Sequence, residues 1–172
     1  AAALGTSMHE NKLRTFSVRW AAIGVAQAAA LAACLVLHPR PALAGDTCTG
    51  ANTGATAAGI DALACGFDST AGADLSTAVG TLSTASGTNG SAFGYNTTAG
   101  GTYSVALGNS NTASGTDSIA VGYQAGVSNT DGIAIGAIAR SSGQYSIAEG
   151  SNSSASDDNT IAIGNAATAD TS

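Results

Sequence analysis

The sequence predicts an all-β fold: a parallel β-solenoid of 14-residue coils that buries one side against further copies of itself. Three observations predict it. Eight glycines, Gly66, Gly80, Gly94, Gly108, Gly122, Gly136, Gly150 and Gly164, fall 14 residues apart without insertion or deletion, the signature of a stacked-coil architecture. Each closes a short run with alanine at its centre, from Leu63-Ala64-Cys65 to Ile161-Ala162-Ile163. Alanine also returns five residues after most of these glycines, at Ala71, Ala85, Ala99, Ala113, Ala155 and Ala169, so each coil divides into two sevens.

Composition supports a regular backbone over a conventional core. Only 9% of the 172 residues are charged and 5% aromatic, with 23 glycines, too little large apolar material for a globular interior. Glycine does not recur at every third position, which excludes collagen. Ile and Val at fixed phase argue against disorder.

From the N-terminus, residues 1–7 read as upstream sequence without structural meaning. Residues 8–44 read as a signal peptide: Lys12, Arg14 and Arg19 precede an apolar stretch from Trp20 to Leu37, and Ala42-Leu43-Ala44 has the small-x-small form of a cleavage site, placing the cut after Ala44. A membrane anchor and a lipoprotein signal acylated at Cys34 are the competing readings. Residues 45–61 form a degenerate capping coil and residues 62–172 the eight regular repeats. Beyond Ala44 the chain holds one arginine against ten carboxylates, a net charge of −9, which argues against a nucleic-acid partner. Cys48 and Cys65 read either as a disulfide of an oxidising compartment or, for Cys65, as a buried thiol in a position held elsewhere by Val, Leu and Ile.

Within a coil the two alanines lie half a turn apart and form an interior with room for methyl-sized groups; Val127 and Ser141 are the departures. Strand residues alternate faces, so the neighbours of the central alanine point outward. Val105, Leu107, Ile119, Val121, Ile133, Ile135, Ile161 and Ile163 then make two apolar ladders on one side, with Glu149 breaking one of them. The other side carries Thr70, Thr84, Thr98 and Thr112, then Gly126 and Arg140. Coils stacked about 4.8 Å apart give an apolar stripe on the order of 38 Å long, more than a soluble monomer exposes. Association through it follows, and a cyclic ring leaves no free edge; periodicity alone does not choose between two and three copies. Gly87, Gly101, Gly115 and Gly143, with Asn129 and Asp157 in the same phase, are expected at left-handed turn positions. If three copies close, Glu149 converges on the axis, where either Arg140 of a neighbouring chain pairs with it or the coil is locally loose and water reaches the carboxylate.

The stretches Asn159-Thr160-Ile161-Ala162-Ile163-Gly164 and Tyr103-Ser104-Val105-Ala106-Leu107-Gly108 resemble the YadA-like head repeats of trimeric autotransporter adhesins of Gram-negative bacteria, and the resemblance runs from about Ala62 to Ser172. It implies a left-handed parallel β-roll, a homotrimer, display at the cell surface or outer membrane, and attachment to extracellular matrix, host-surface protein or abiotic surfaces. Any membrane attachment would come from a C-terminal anchor, and neither it nor a heptad stalk is visible here. The outer residues of the best-matching stretches, Ser104, Asn111, Asn159 and Thr160, are the expected ligand-facing positions.

Beyond Ala44 there is no histidine, no nucleophile elbow with triad partners and no phosphate loop. No enzymatic activity, cofactor or metal is expected. Two alternatives to the adhesin head stay open: a surface- or ice-binding solenoid reading the threonine ladder, and a structural spacer of a fibre.

Overall fold

A computed structural model describes residues 46–48 and 54–171. The leader, the Ala44 cleavage position and residues 1–7 lie outside these described residues. The chain winds as a parallel β-solenoid. Short strands alternate between two sheets, each with nine strands among the described residues, and every strand pairs with the equivalent one in the next coil. The broad sheet runs from Asp46–Thr47 through strands such as Leu63–Cys65, Val105–Asn109, Ile119–Tyr123 and Ile133–Ile135 to Ile161–Ile163. The narrow sheet consists of two-residue strands, from Thr56–Ala57 to Thr168–Ala169. Pairing is parallel and in strict register: Ala106, Ala120, Ala134 and Ala148 stand over one another in the broad sheet. Thr70, Thr84, Thr98 and Thr112 do so in the narrow one.

The alanines fill the interior. Ala64, Ala78, Ala92, Ala106, Ala120, Ala134 and Ala148 from the broad sheet are fully buried, as are Ala71, Ala85, Ala99, Ala113 and Ala155 from the narrow sheet. Such small side chains stabilise little individually, so the fold leans on its ladders: N–H groups at the corners as well as in the strands bond to the next coil. At the bulky departure Val127, room comes from a neighbour. A Cβ on Gly132 would lie 2.5 Å from Val127 Cγ1 and 2.7 Å from Ser141 Oγ, so glycine at 132 admits both.

The turns differ from the expectation drawn from glycine. Gly87, Gly101, Gly115 and Gly143 do not have left-handed backbones, nor do Asn129 and Asp157. The left-handed residues follow two positions later, every seventh residue: Leu75, Leu82, Asn89, Asn96, Tyr103 and onward, with φ from 51° to 62°. Gly87 is required for another reason, since a Cβ there would sit 1.9 Å from the carbonyl oxygen of Gly101 in the next coil. The anchor glycines meet both constraints. Gly108 has φ 130° and its Cβ would lie 2.0 Å from Gly122 O. Bulky residues tolerate the left-handed corner because their N–H groups are held across coils, as Leu82 N–H is by Phe67 O at 2.9 Å.

In the first coil, Cys48 and Cys65 are joined by a disulfide with a Cα–Cα distance of 5.0 Å. Among the described residues no helix is long and apolar enough to cross a membrane.

Candidate binding faces

Two outward faces are available to a partner, and the alternation of the strands determines what each displays. On the broad sheet the first outward column contains Val105, Ile119, Ile133, Ile147 and Ile161 in register, and the second Val79, Phe93, Leu107, Val121, Ile135, Glu149 and Ile163. Val105, Ile119, Val121 and Ile133 are half-buried by their neighbours above and below, whereas Leu107 is 47% exposed, Ile135 40%, and Ile163 65%. From Val105 to Ile163 the face is an apolar strip interrupted at Glu149, and in the two coils before it the first column carries Thr77 and Ser91.

The narrow sheet presents a different face. Its outward column reads Thr56, Thr70, Thr84, Thr98, Thr112, Gly126, Arg140, Ser154 and Thr168. Five threonines form a flat hydroxyl ladder that ends at Gly126. Arg140 projects from this side and Glu149 from the other. Packing through the broad face therefore leaves Arg140 on the far side of each chain, away from the Glu149 carboxylates of its neighbours, and the expected Arg140–Glu149 pairing is not supported.

Three of the four positions expected to face a ligand are inside the molecule. Ser104 and Asn111 are fully buried and Thr160 is 9% exposed; only Asn159, at a left-handed corner with φ 62°, is exposed. The reason is a second inward row that runs beside the alanines with the same seven-residue spacing: Ser69, Ser76, Ser83, Thr97, Ser104, Asn111, Ser118, Ser146, Ser153 and Thr160. Polar residues are admitted there because a hydroxyl reaches the carbonyl three residues back without help from water. Ser69 Oγ donates to Gly66 O at 3.0 Å, Ser83 Oγ to Gly80 O at 2.9 Å and Thr160 Oγ1 to Asp157 O at 2.6 Å. The hydroxyls of Thr97 and Ser104 have no partner, and packing alone holds them.

Asn111 is the most connected of the row. Its Nδ2 donates to Leu107 O at 2.6 Å and to Gly122 O at 2.8 Å, and its Oδ1 accepts from Ala125 N at 2.8 Å. The amide joins consecutive coils at the corner. It is structural, not ligand-facing.

Among the described residues no group of three His, Cys, Asp or Glu side chains is placed to hold a metal ion. The faces offer association and recognition chemistry: an apolar strip, a hydroxyl ladder and two rows of corner side chains that include Tyr95, Tyr103, Tyr123 and Tyr145, all at least half exposed.

The repeat geometry has a counterpart among known families. Seven overlapping two-copy matches to the YadA head domain repeat cover residues 57–83, 71–97, 85–111, 99–125, 113–139, 128–153 and 141–167. The chain belongs to the YadA head repeat family. These are the head repeats of trimeric autotransporter adhesins, a family of exported bacterial surface proteins and not a known enzyme family. No curated protein matches the chain. The matches end 14 residues apart throughout, from 83 to 167, the same period as the strand register that runs through Thr112, Gly126 and Arg140.

Proposed function

We propose that this chain is the surface-exposed head of a trimeric autotransporter adhesin, exported and displayed at the surface of a Gram-negative bacterium. Three copies close about the apolar face of the broad sheet. The narrow face and the corners remain outside, and they attach to extracellular matrix or a host-surface protein. The observation that carries this reading is the asymmetry of the coil: an identical interior on both halves, but Val, Leu and Ile outside one sheet and Thr, Ser and Arg outside the other. The apolar strip has to be covered, and three-fold closure covers it without leaving an edge. Recognition then spreads over many coils of the polar face, in the manner of solenoids that bind along their length.

Val105, Leu107, Ile119, Val121, Ile133, Ile135, Ile161 and Ile163 are the proposed interface. Ile135 lies near its middle. In the assembly Ile135→Asp would bury three carboxylates that have no partner, a cost of several kcal/mol per chain. Sedimentation of the parent should give the mass of three chains, and the variant should dissociate with its β-sheet circular dichroism retained. A folded parent that sediments as a monomer or dimer at micromolar concentration would refute three-fold closure.

A further inference from the structure

The outward column of the narrow sheet has one gap. Gly126 stands between Thr112 and Arg140 in register, and a Cβ built on it would meet nothing within 4 Å. This sets it apart from Gly87 and Gly108, which the next coil forbids from carrying a side chain. No steric requirement of the coil explains glycine at 126. Its effect is to open a depression of about 570 Å³ across the sheet and the adjoining corner. The flanking rows are two coil spacings apart, on the order of 10 Å from centre to centre, and the space between them is the place of the missing side chain.

The lining specifies a kind of ligand. Ser110, Thr112, Gln124, Ser128 and Arg140 surround Gly126. Together they provide hydroxyls that donate and accept, an amide and one cation, with no carboxylate and no large apolar side chain. Gln124 Nε2 donates to the Tyr123 hydroxyl at 3.2 Å, which holds the amide at the rim and leaves its carbonyl oxygen to accept. The Arg140 side chain has no ion pair or hydrogen bond among the described residues, although it is the only cation after Ala44 in a segment of net charge −9. A guanidinium left free in such a chain is suited to one carboxylate held through two parallel N–H bonds.

We propose that the depression over Gly126 binds an acidic monosaccharide unit within a glycan, its carboxylate on Arg140 and its ring hydroxyls on the serine, threonine and glutamine side chains. A sugar is favoured over an acidic peptide because the exposed lining side chains, Arg140 apart, carry hydroxyls and amides, while Ala125 and Val127, which also line it, are buried and offer no apolar pocket for a neighbouring side chain. Gly126 and Arg140 belong to the narrow sheet, opposite the apolar face of the broad one. The depression adds a local recognition site to the extended surface proposed above.

The test is titration calorimetry of the full chain with a glucuronic-acid-containing tetrasaccharide, a neutral glucose tetrasaccharide and an aspartate-containing tetrapeptide. The acidic sugar should bind at least tenfold more tightly than either of the others, and Arg140→Gln should remove that difference. Gly126→Thr is the decisive variant. It continues the threonine ladder into open space, so the protein should fold with an unchanged or higher melting temperature while losing the sugar. Equal binding of the neutral sugar, binding of the peptide alone, no binding by the parent, or undiminished binding by a folded Gly126→Thr chain would each overturn the proposal. Sedimentation of the same samples reports trimer closure separately, so failure of one reading is distinguishable from failure of the other.

Discussion

Replacing Asn111 separates a side chain that holds coils together from one that meets a ligand. Its amide makes three hydrogen bonds, at 2.6, 2.8 and 2.8 Å, in a position with no solvent exposure. Each is worth about 1 kcal/mol net, so Asn111→Ala should destabilise each chain by about 3 kcal/mol. Asn111→Ser should cost about 1 kcal/mol or less. A serine hydroxyl can bond the Gly108 carbonyl as Ser69 bonds Gly66, and Ala125 N–H can turn to Gly122 O, as Ser69 N–H bonds Gly66 O at 3.3 Å.

Asn111→Asp sharpens the test. A carboxylate cannot donate, and it would face the Leu107 and Gly122 carbonyl oxygens in the interior. Its folded-state pKa must rise above the unfolded value near 3.9. The penalty is then small below that value and grows as pH rises towards the raised folded pKa. The assay is urea unfolding at one fixed chain concentration, since assembly makes stability depend on concentration. Melting of Asn111→Ala like the parent, together with weakened attachment to matrix protein, would refute the structural role.

Ala120→Leu should prevent folding or lower stability by at least about 1 to 3 kcal/mol, because Ala120 is fully buried beneath Ala106 and Ala134; unchanged circular dichroism and melting temperature would mean that this row faces outward. Leu75→Asn should stabilise each chain by about 0.5 to 1 kcal/mol by relieving a left-handed backbone with φ 57°, read as a rise in melting temperature at matched concentration. The Asp157 carboxyl is held below its ordinary pKa of 3.8 by the Thr171 hydroxyl and then the Thr171 N–H, both donating to Oδ2. Its contribution to the last coil should be complete above that ordinary value and lost as pH falls through the lower folded one. The protection factor of the Thr171 amide, its exchange rate relative to the intrinsic rate at the same pH, should therefore fall on acidification in the parent and show no such transition in Asp157→Asn.

The coil was legible in the sequence because its strictest constraints recur identically. A Cβ at an anchor glycine such as Gly108 collides with the next coil, and the interior beside Ala106 and Ala120 admits little more than a methyl group, so these positions repeat without exception. The inward serine row is harder to read from the sequence, because serine and asparagine equally suit positions that face water. The available signal was its phase: outside Asn111 and the threonines, every seventh residue from Ser69 is Ser, Ala or Gly, the same preference for small groups that marks the alanine row. The left-handed corners were displaced by two positions for a related reason. Glycine was credited with its conformational freedom at Gly87 and Gly101, where the structure uses its lack of a side chain, while Leu75, Leu82 and Tyr103 occupy the strained geometry that cross-coil hydrogen bonds enforce.

The interior repeats every seven residues, but the exterior repeats only every fourteen. Inward groups in both halves meet the same narrow space, so each half of the coil is under the same requirement. Outward groups meet no such requirement, and there the halves have diverged, with Ile119 and Ile133 on one sheet where Thr112, Gly126 and Arg140 stand on the other. A change such as threonine to glycine at 126 leaves the ladder of hydrogen bonds intact and alters only what the surface can hold. Differences in binding can therefore accumulate in the outward columns and corners without altering the fold. The same reasoning directs a search for ligand contacts to Gly126 and Arg140 on the narrow face and away from Ser104, Asn111 and Thr160.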